Sequence, residues 1–132
     1  MRLVGLLGAG VMAAFMLTGA AQRPSALAGT SGGMWEISGV PGASAPARQC
    51  VAEVATLAQF EHQKKTCTRN VVSDGPSSAV IQYECSGGDF GRSKVTVLTP
   101  RSLKIETQGI SDKLPFSYVL QARRVGDCPE RG

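Results

Sequence analysis

The chain has 132 residues, a formal net charge of +4, four cysteines and one histidine. A chain of this length fits one domain. Its charge is mild and its basic residues are scattered, with few aromatic residues among them, whereas nucleic-acid binding needs a concentrated basic patch. We therefore expect no nucleic-acid partner.

Residues 1–21 have the pattern of a secretory signal peptide. Arg2 supplies an early positive charge, and an apolar run of about 15 residues then ends in small residues. We predict cleavage after Ala21, with Ala28, which closes an Ala-x-Ala pattern, as the alternative site. The run is shorter than the roughly 20 apolar residues of a membrane anchor. We therefore expect a periplasmic or secreted protein with no membrane span after cleavage, and loss of Arg2 lowers the net charge to +3.

The next residues, 22–33, are rich in Gly, Ala, Ser and Pro, which predicts a flexible leader to the domain. We expect a single β-rich domain over residues 34–128, followed by a tail at 129–132. The domain begins with a short strand at 34–37. After a loop comes one short helix at 51–60, where apolar residues recur at helical spacing.

A period of two then predicts a hairpin whose strands cover residues 66–73 and 78–86. The turn between them, Asp74-Gly75-Pro76-Ser77, is a strong turn signal. A pairing centred on Pro76 sets opposite each other Cys67 and Cys85, Arg69 and Tyr83, and Val71 and Ile81.

A second hairpin is predicted from strands 92–98 and 102–108. Strand register follows the apolar match between partners, and a pairing centred on Pro100 provides that match. It sets opposite each other Val97 and Leu103, and Val95 and Ile105, with Lys94 opposite Glu106 on the other face. This register predicts an odd-length loop of three or five residues.

The last predicted strand, 115–124, alternates apolar and polar residues, as a half-buried strand does. The fold expected from these elements is mainly β: a small antiparallel meander, as a curled sheet or partial barrel, with one short helix. We expect Trp35 and the apolar face of the last strand to share one core with the helix.

Four cysteines allow three disulfide pairings. The hairpin register joins Cys67 to Cys85, which leaves Cys50 with Cys128. Two such disulfides would stabilise a small domain in an oxidising compartment. Because no Cys-x-x-Cys spacing occurs, we expect structural disulfides, no metal site and no cofactor.

We predict no catalytic residues. His62 lies among polar residues and is expected to be exposed, and Gly-x-Ser-x-Gly is absent. The carboxylates of Glu36, Glu84, Glu106 and Asp127 could support acid–base chemistry, but each fits an outward polar position beside or on a strand. An envelope enzyme that uses paired carboxylates remains an alternative.

Two end motifs resemble a family of bacterial envelope proteins catalogued as domain of unknown function 3617. The opening Gly33-Met34-Trp35-Glu36 is similar to that family's Gly-x-Trp-Glu, and residues 123–128 are similar to its closing Arg-x-Gly-x-Cys. The resemblance covers residues 33–128. Many members carry Met- and Thr-rich later strands, where this chain has Val95, Val97 and other β-branched residues. The resemblance implies a secreted, periplasmic protein of proteobacterial type and implies no activity or ligand residues.

These observations favour a small binding or interaction module of the cell envelope whose ligand or protein partner is unidentified. A pocket lined by the apolar strand residues would favour an apolar ligand; otherwise those residues fill the core. These residues are Val95, Val97, Phe116, Tyr118 and Leu120. A periplasmic protein inhibitor is a further alternative, although a basic chain complements basic targets such as lysozymes poorly.

Overall fold

The computed structural model describes residues 23–130, so the predicted signal peptide and its cleavage after Ala21 lie outside the described residues. Seven strands in the described range form one antiparallel sheet, in the order β2-β1-β7-β6-β5-β4-β3. The sheet is not closed, and β2 and β3 are its edges. The predicted antiparallel meander is therefore confirmed. The strands are β1 Gly33–Ser38, β2 Ala47–Val51, β3 Cys67–Asp74, β4 Ser78–Cys85, β5 Phe90–Thr99, β6 Ser102–Ser111 and β7 Leu114–Gly126.

The register of the first hairpin is as predicted. Cys67 pairs with Cys85, and the pairing continues until a bulge after Val71 shifts it. Ile81 and Tyr83 of this hairpin are almost fully buried. The match of apolar and cysteine side chains across one face fixed this register, because a slip of one residue would move the whole set to the other face.

The second hairpin has the predicted register and a different turn. Val97 pairs with Leu103, and Lys94 pairs with Glu106. However, Thr99 pairs with Ser102, so the loop has two residues, and the prediction of three or five is wrong. Leu98, between Val97 and Thr99, is the extra residue of a β-bulge. Because the bulge takes up one residue, the turn can be short while the apolar residues of the two strands still pair.

The predicted helix at 51–60 begins three residues later in the structure, and it is a 3₁₀ helix. A 3₁₀ helix spans Val54–His62, interrupted at Gln59 by non-helical backbone angles. Val51, which we predicted as the helix start, instead ends strand β2 and pairs with Gly33. Strand β2 was missed because its first four residues are polar or small and show no apolar alternation.

The predicted flexible leader is in fact packed onto the sheet from residue 23 onward. A 3₁₀ turn at Ser25–Leu27 buries Ala26 and leaves Leu27 only 1% exposed. The Asp74 carboxylate accepts hydrogen bonds from the backbone N–H groups of Ser25 and Ala26, at 2.7 and 3.2 Å. These donors lower the pKa of Asp74. A composition of small residues did not reveal that one leucine anchors the segment.

One face of the sheet carries the core. Trp35 and Leu120 are fully buried and belong to the same apolar cluster as Leu57 of the long 3₁₀ helix. The core shared by β1, β7 and the helix is thus confirmed. Val95 and Leu120 fill this core, so these strand residues pack against neighbours and do not line an apolar pocket there.

Each edge strand is held by a disulfide. Cys67–Cys85 joins edge strand β3 to β4, with Cα atoms 4.0 Å apart. Cys50–Cys128 joins edge strand β2 to the segment after β7, with Cα atoms 5.5 Å apart. These are the two pairs expected from the hairpin register. Two disulfides in a domain of this size are typical of proteins that fold outside the cytoplasm.

Candidate functional site

The second face of the sheet is uncovered over the described residues. The 3₁₀ segments Ser25–Leu27 and Val54–His62 both contribute side chains to the core, so they cover the same face. The alternate strand residues point to the other side, which we call the open face. Its charged residues are Glu36, Arg48, Glu84, Arg92, Lys94, Lys104, Glu106 and Arg123.

Four of these cations form a diagonal across three strands. Arg92 and Lys94 are two residues apart on β5. On β6, Glu106 pairs with Lys94, and Lys104 lies on the same face two residues further along the sheet. On β7, Gln121 pairs with Lys104, and Arg123 lies two residues further along in the same direction. Diagonal neighbours of this kind are about 7–8 Å apart. We call these four residues the cation diagonal.

Most of the cation diagonal is free of ion pairs. Arg123 lies 3.6 Å from the Glu36 carboxylate, which also lies 3.4 Å from Arg48. Within the described part of the chain, Arg92, Lys94 and Lys104 form no ion pair. The open face has five cations and three carboxylates, so its charge is positive.

The carboxylates considered for catalysis do not converge. Three of them lie on different strands: Glu84 on β4, Glu106 on β6 and Glu36 on β1. Glu106 is two strands away from each of the other two and offset from each by about four residues along the strands. This geometry puts about 16 Å between neighbouring carboxylate positions. A retaining pair of carboxylates is about 5 Å apart, and an inverting pair is below about 10 Å. Asp127 instead accepts a hydrogen bond from Arg124 at 2.6 Å. The structure therefore assembles none of these residues into a pair.

Two shallow depressions cross the open face beside the diagonal. One, of about 480 Å³, lies around Arg92, Lys94 and Glu106. The other, of about 540 Å³, extends past Phe90 toward the end of the sheet. Both share Arg92, Gln108 and Ser117. The depressions therefore combine cations with amide and hydroxyl groups. Val80 and Val119 add apolar side chains to the first depression, and Phe90, Ile110 and Pro115 add them to the second.

On the core face, the expected exposure of His62 is wrong. The ring is buried between the rings of Tyr83 and Phe116, with centroid distances of 5.5 and 5.6 Å. Its Nδ1 lies 2.9 Å from the Tyr83 hydroxyl, and its Nε2 lies 3.5 Å from Asp89 Oδ2. The ring nitrogen of this pair donates or accepts according to the tautomer, and His62 Nε2 has no hydrogen-bond partner among the described residues.

Asp89 connects three segments around this histidine. Its carboxylate accepts hydrogen bonds from the Lys65 ammonium and from the backbone N–H of Asp112, the latter at 3.1 Å. The Lys65 ammonium holds the pKa of Asp89 below its ordinary value, and Asp89 raises the pKa of Lys65. Asp89 therefore ties the residues after the 3₁₀ helix to the β6–β7 turn.

The tyrosines of this cluster stay protonated. Burial raises the pKa of Tyr83, and burial raises that of Tyr118, whose hydroxyl donates to Glu61 at 2.6 Å. Gly91 makes room for the cluster, because a Cβ there would collide with the Tyr83 ring. The chain Tyr83–His62–Asp89 has the order of a catalytic triad, yet Tyr83 is 0% exposed. His62 and Asp89 are likewise no more than 5% exposed.

The end motifs of the sequence contact each other. Arg124 Nε donates to the Gly32 carbonyl at 3.0 Å, and Arg124 pairs with Trp35 across β1 and β7. A Cβ on Gly33 would lie 2.7 Å from the backbone oxygen of Gly126, and Gly33 has a φ of 150°, so this position needs glycine. These motifs therefore join the first and last strands of the sheet in sequence order.

Within residues 23–130, no group of three or more His, Cys, Asp and Glu residues could hold a metal ion. No helix in the same range is long and apolar enough to cross a membrane. Fold and site together define a disulfide-linked open β-sheet with one packed face and one exposed, charged face.

The sequence matches the family described as Protein of unknown function (DUF3617) over residues 23–128. The chain belongs to that family, as the end motifs predicted. The match begins ten residues before Gly33 and so includes the packed N-terminal turn. No curated protein matches the chain. No solved structure matches it.

Proposed function

We propose that this protein is a non-catalytic binding or interaction module of the cell envelope that acts in the periplasm or after secretion. The observation that carries the proposal is the open face, where a positive diagonal and two depressions are left uncovered in the described chain. The separation of Glu36, Glu84 and Glu106 supports binding over carboxylate catalysis. The burial of Tyr83 and His62 supports a structural role for that cluster.

Export is supported by the leader pattern and by the two disulfides. Cleavage after Ala21 would retain Arg23, whose guanidinium donates to the Thr30 carbonyl at 2.7 Å. Cleavage after Ala28 would remove Leu27 from the core. N-terminal sequencing of the exported protein should therefore begin at Gln22, and a start at Gly29 would contradict this.

A blocking variant tests binding through the open face. Ser117→Trp places a large ring in both depressions, and Lys64→Trp, at an exposed position after the long 3₁₀ helix, is the matched control. Fractionated envelope peptides, glycans and lipids are screened for ligands that raise the melting temperature in proportion to concentration. The open face is supported if Ser117→Trp alone abolishes the shift. Turnover of an envelope substrate that is lost in Glu36→Gln or Glu106→Gln would overturn the proposal.

A further inference from the structure

We infer that the open face binds an extended polysaccharide that bears carboxylates, with the anionic groups on the cation diagonal. This inference rests on the proposed function and specifies its ligand class. It depends on three observations: the length of the diagonal, the polar side chains beside it, and the position of the single aromatic residue that the described strands place on the open face.

The diagonal is too long for one small anion. From Arg92 through Lys94 and Lys104 to Arg123, three steps of about 7 Å cover roughly 20 Å. A single headgroup or metabolite would occupy only one step. A linear polymer with repeated charges can meet several cations at once, and Arg92, Lys94 and Lys104 have no ion-pair partner among the described residues.

The side chains beside the cations suit a ligand rich in hydroxyl groups. Gln108 and Ser117 line both depressions, and Gln82 lines the second. Amides and hydroxyls both donate and accept hydrogen bonds, as sugar hydroxyls require. Gln82, Gln108 and Ser117 lie in one cross-strand row with Arg92, and Thr96 and Gln121 flank Lys104. Polar groups that suit sugar hydroxyls therefore lie beside two cations of the diagonal.

The small number of aromatic residues on the open face favours a polysaccharide over a nucleic acid as the ligand. Sequence-tolerant binding of single-stranded nucleic acid uses a series of aromatic side chains for base stacking. Phe90 is the only aromatic residue that the described strands place on the open face. It lies at one end of the sheet and is 46% exposed. A single exposed ring can cover the apolar face of one terminal sugar, whereas it cannot stack a run of bases.

The test measures binding to immobilised polygalacturonate, with neutral dextran and single-stranded poly(dT) as comparison polymers. The double variant Lys94→Gln/Lys104→Gln removes two charges from the diagonal. The control double variant Lys64→Gln/Lys113→Asn removes two positive charges elsewhere on the protein. It therefore has the same net charge as the diagonal variant. Melting temperatures show that both variants are folded.

We expect wild-type protein to bind polygalacturonate and not dextran, more weakly as salt increases. The diagonal variant should bind about tenfold more weakly, as expected for the loss of two exposed ionic contacts, and the control less than about twofold. Equal loss in both variants, equal binding to dextran, or tighter binding to poly(dT) overturns the inference. Failure of wild-type protein to bind polygalacturonate also overturns it. The proposed function stands in that case if Ser117→Trp blocks a different envelope ligand.

Discussion

Replacement of Leu27 by alanine tests whether the N-terminal segment belongs to the folded domain. Leu27 is 1% exposed and part of the main core. The change removes three buried carbons at about 0.8 kcal/mol each, and the residual cavity raises the expected cost to about 3 kcal/mol. For a domain of this size, that corresponds to a fall in melting temperature of about 12 °C.

The assay follows urea and thermal unfolding of the disulfide-intact exported protein by tryptophan fluorescence. Trp35 is the only tryptophan and is fully buried, so its emission reports the core. Leu98→Ala is the matched control, because the same chemical change is made where the side chain is 55% exposed. Its expected cost is below about 0.5 kcal/mol. If Leu27→Ala costs no more than Leu98→Ala, the segment does not contribute to the core and the reasoning is refuted.

Three further predictions concern stability. Leu120→Asp should destabilise the fold by several kcal/mol, since it buries a charge without a partner; an unchanged melting temperature would place that face in solvent. Replacing Cys67 and Cys85 by serine should cost about 3 kcal/mol by the chain-entropy estimate for an 18-residue separation, measured by urea unfolding, and no loss would show that the link does not constrain the unfolded chain. Stability should also depend on pH. Because the pKa of Asp74 is lowered in the fold, its contribution is present above its unfolded value of about 3.9 and is lost as pH falls. The pKa of Tyr83 is raised, so stability should decline as pH rises through about 10, where the unfolded tyrosine ionises. Asp74→Asn should flatten the acid limb of a melting-temperature profile, and an unaltered limb would contradict the assignment.

The registers of the two hairpins, β3–β4 and β5–β6, could be predicted from the sequence because they depend on side chains that match across a pair. Cys67 and Cys85 had to share a face, and Val95 had to meet Ile105. The β-bulge before Thr99 could not be predicted, since a bulge and a longer loop satisfy the same match. Strand β2 was missed for a different reason: it is an edge strand with little apolar alternation, and pairing with β1 and a disulfide hold it.

Two features of the candidate site depended on tertiary structure. His62 has polar neighbours in sequence, and its burial follows from the interrupted helix and from the rings of Tyr83 and Phe116. The basic residues are scattered in sequence but gathered in the sheet. The predicted register of the second hairpin, with Lys94 opposite Glu106, already set Arg92, Lys94 and Lys104 on one face, because alternate residues of a strand share a face. The full diagonal needed the β6–β7 register, which was not predicted.

The measurement that tests the central claim most directly is an NMR titration of ¹⁵N-labelled protein with polygalacturonate fragments. The account predicts that amide shifts will concentrate on the open face, around Arg92, Lys94, Lys104 and Ser117. Amides of the 3₁₀ helix Val54–His62 should be unaffected. Shifts centred on that helix and on the buried His62 cluster would contradict the claim that this protein binds its ligand through the open face of its sheet.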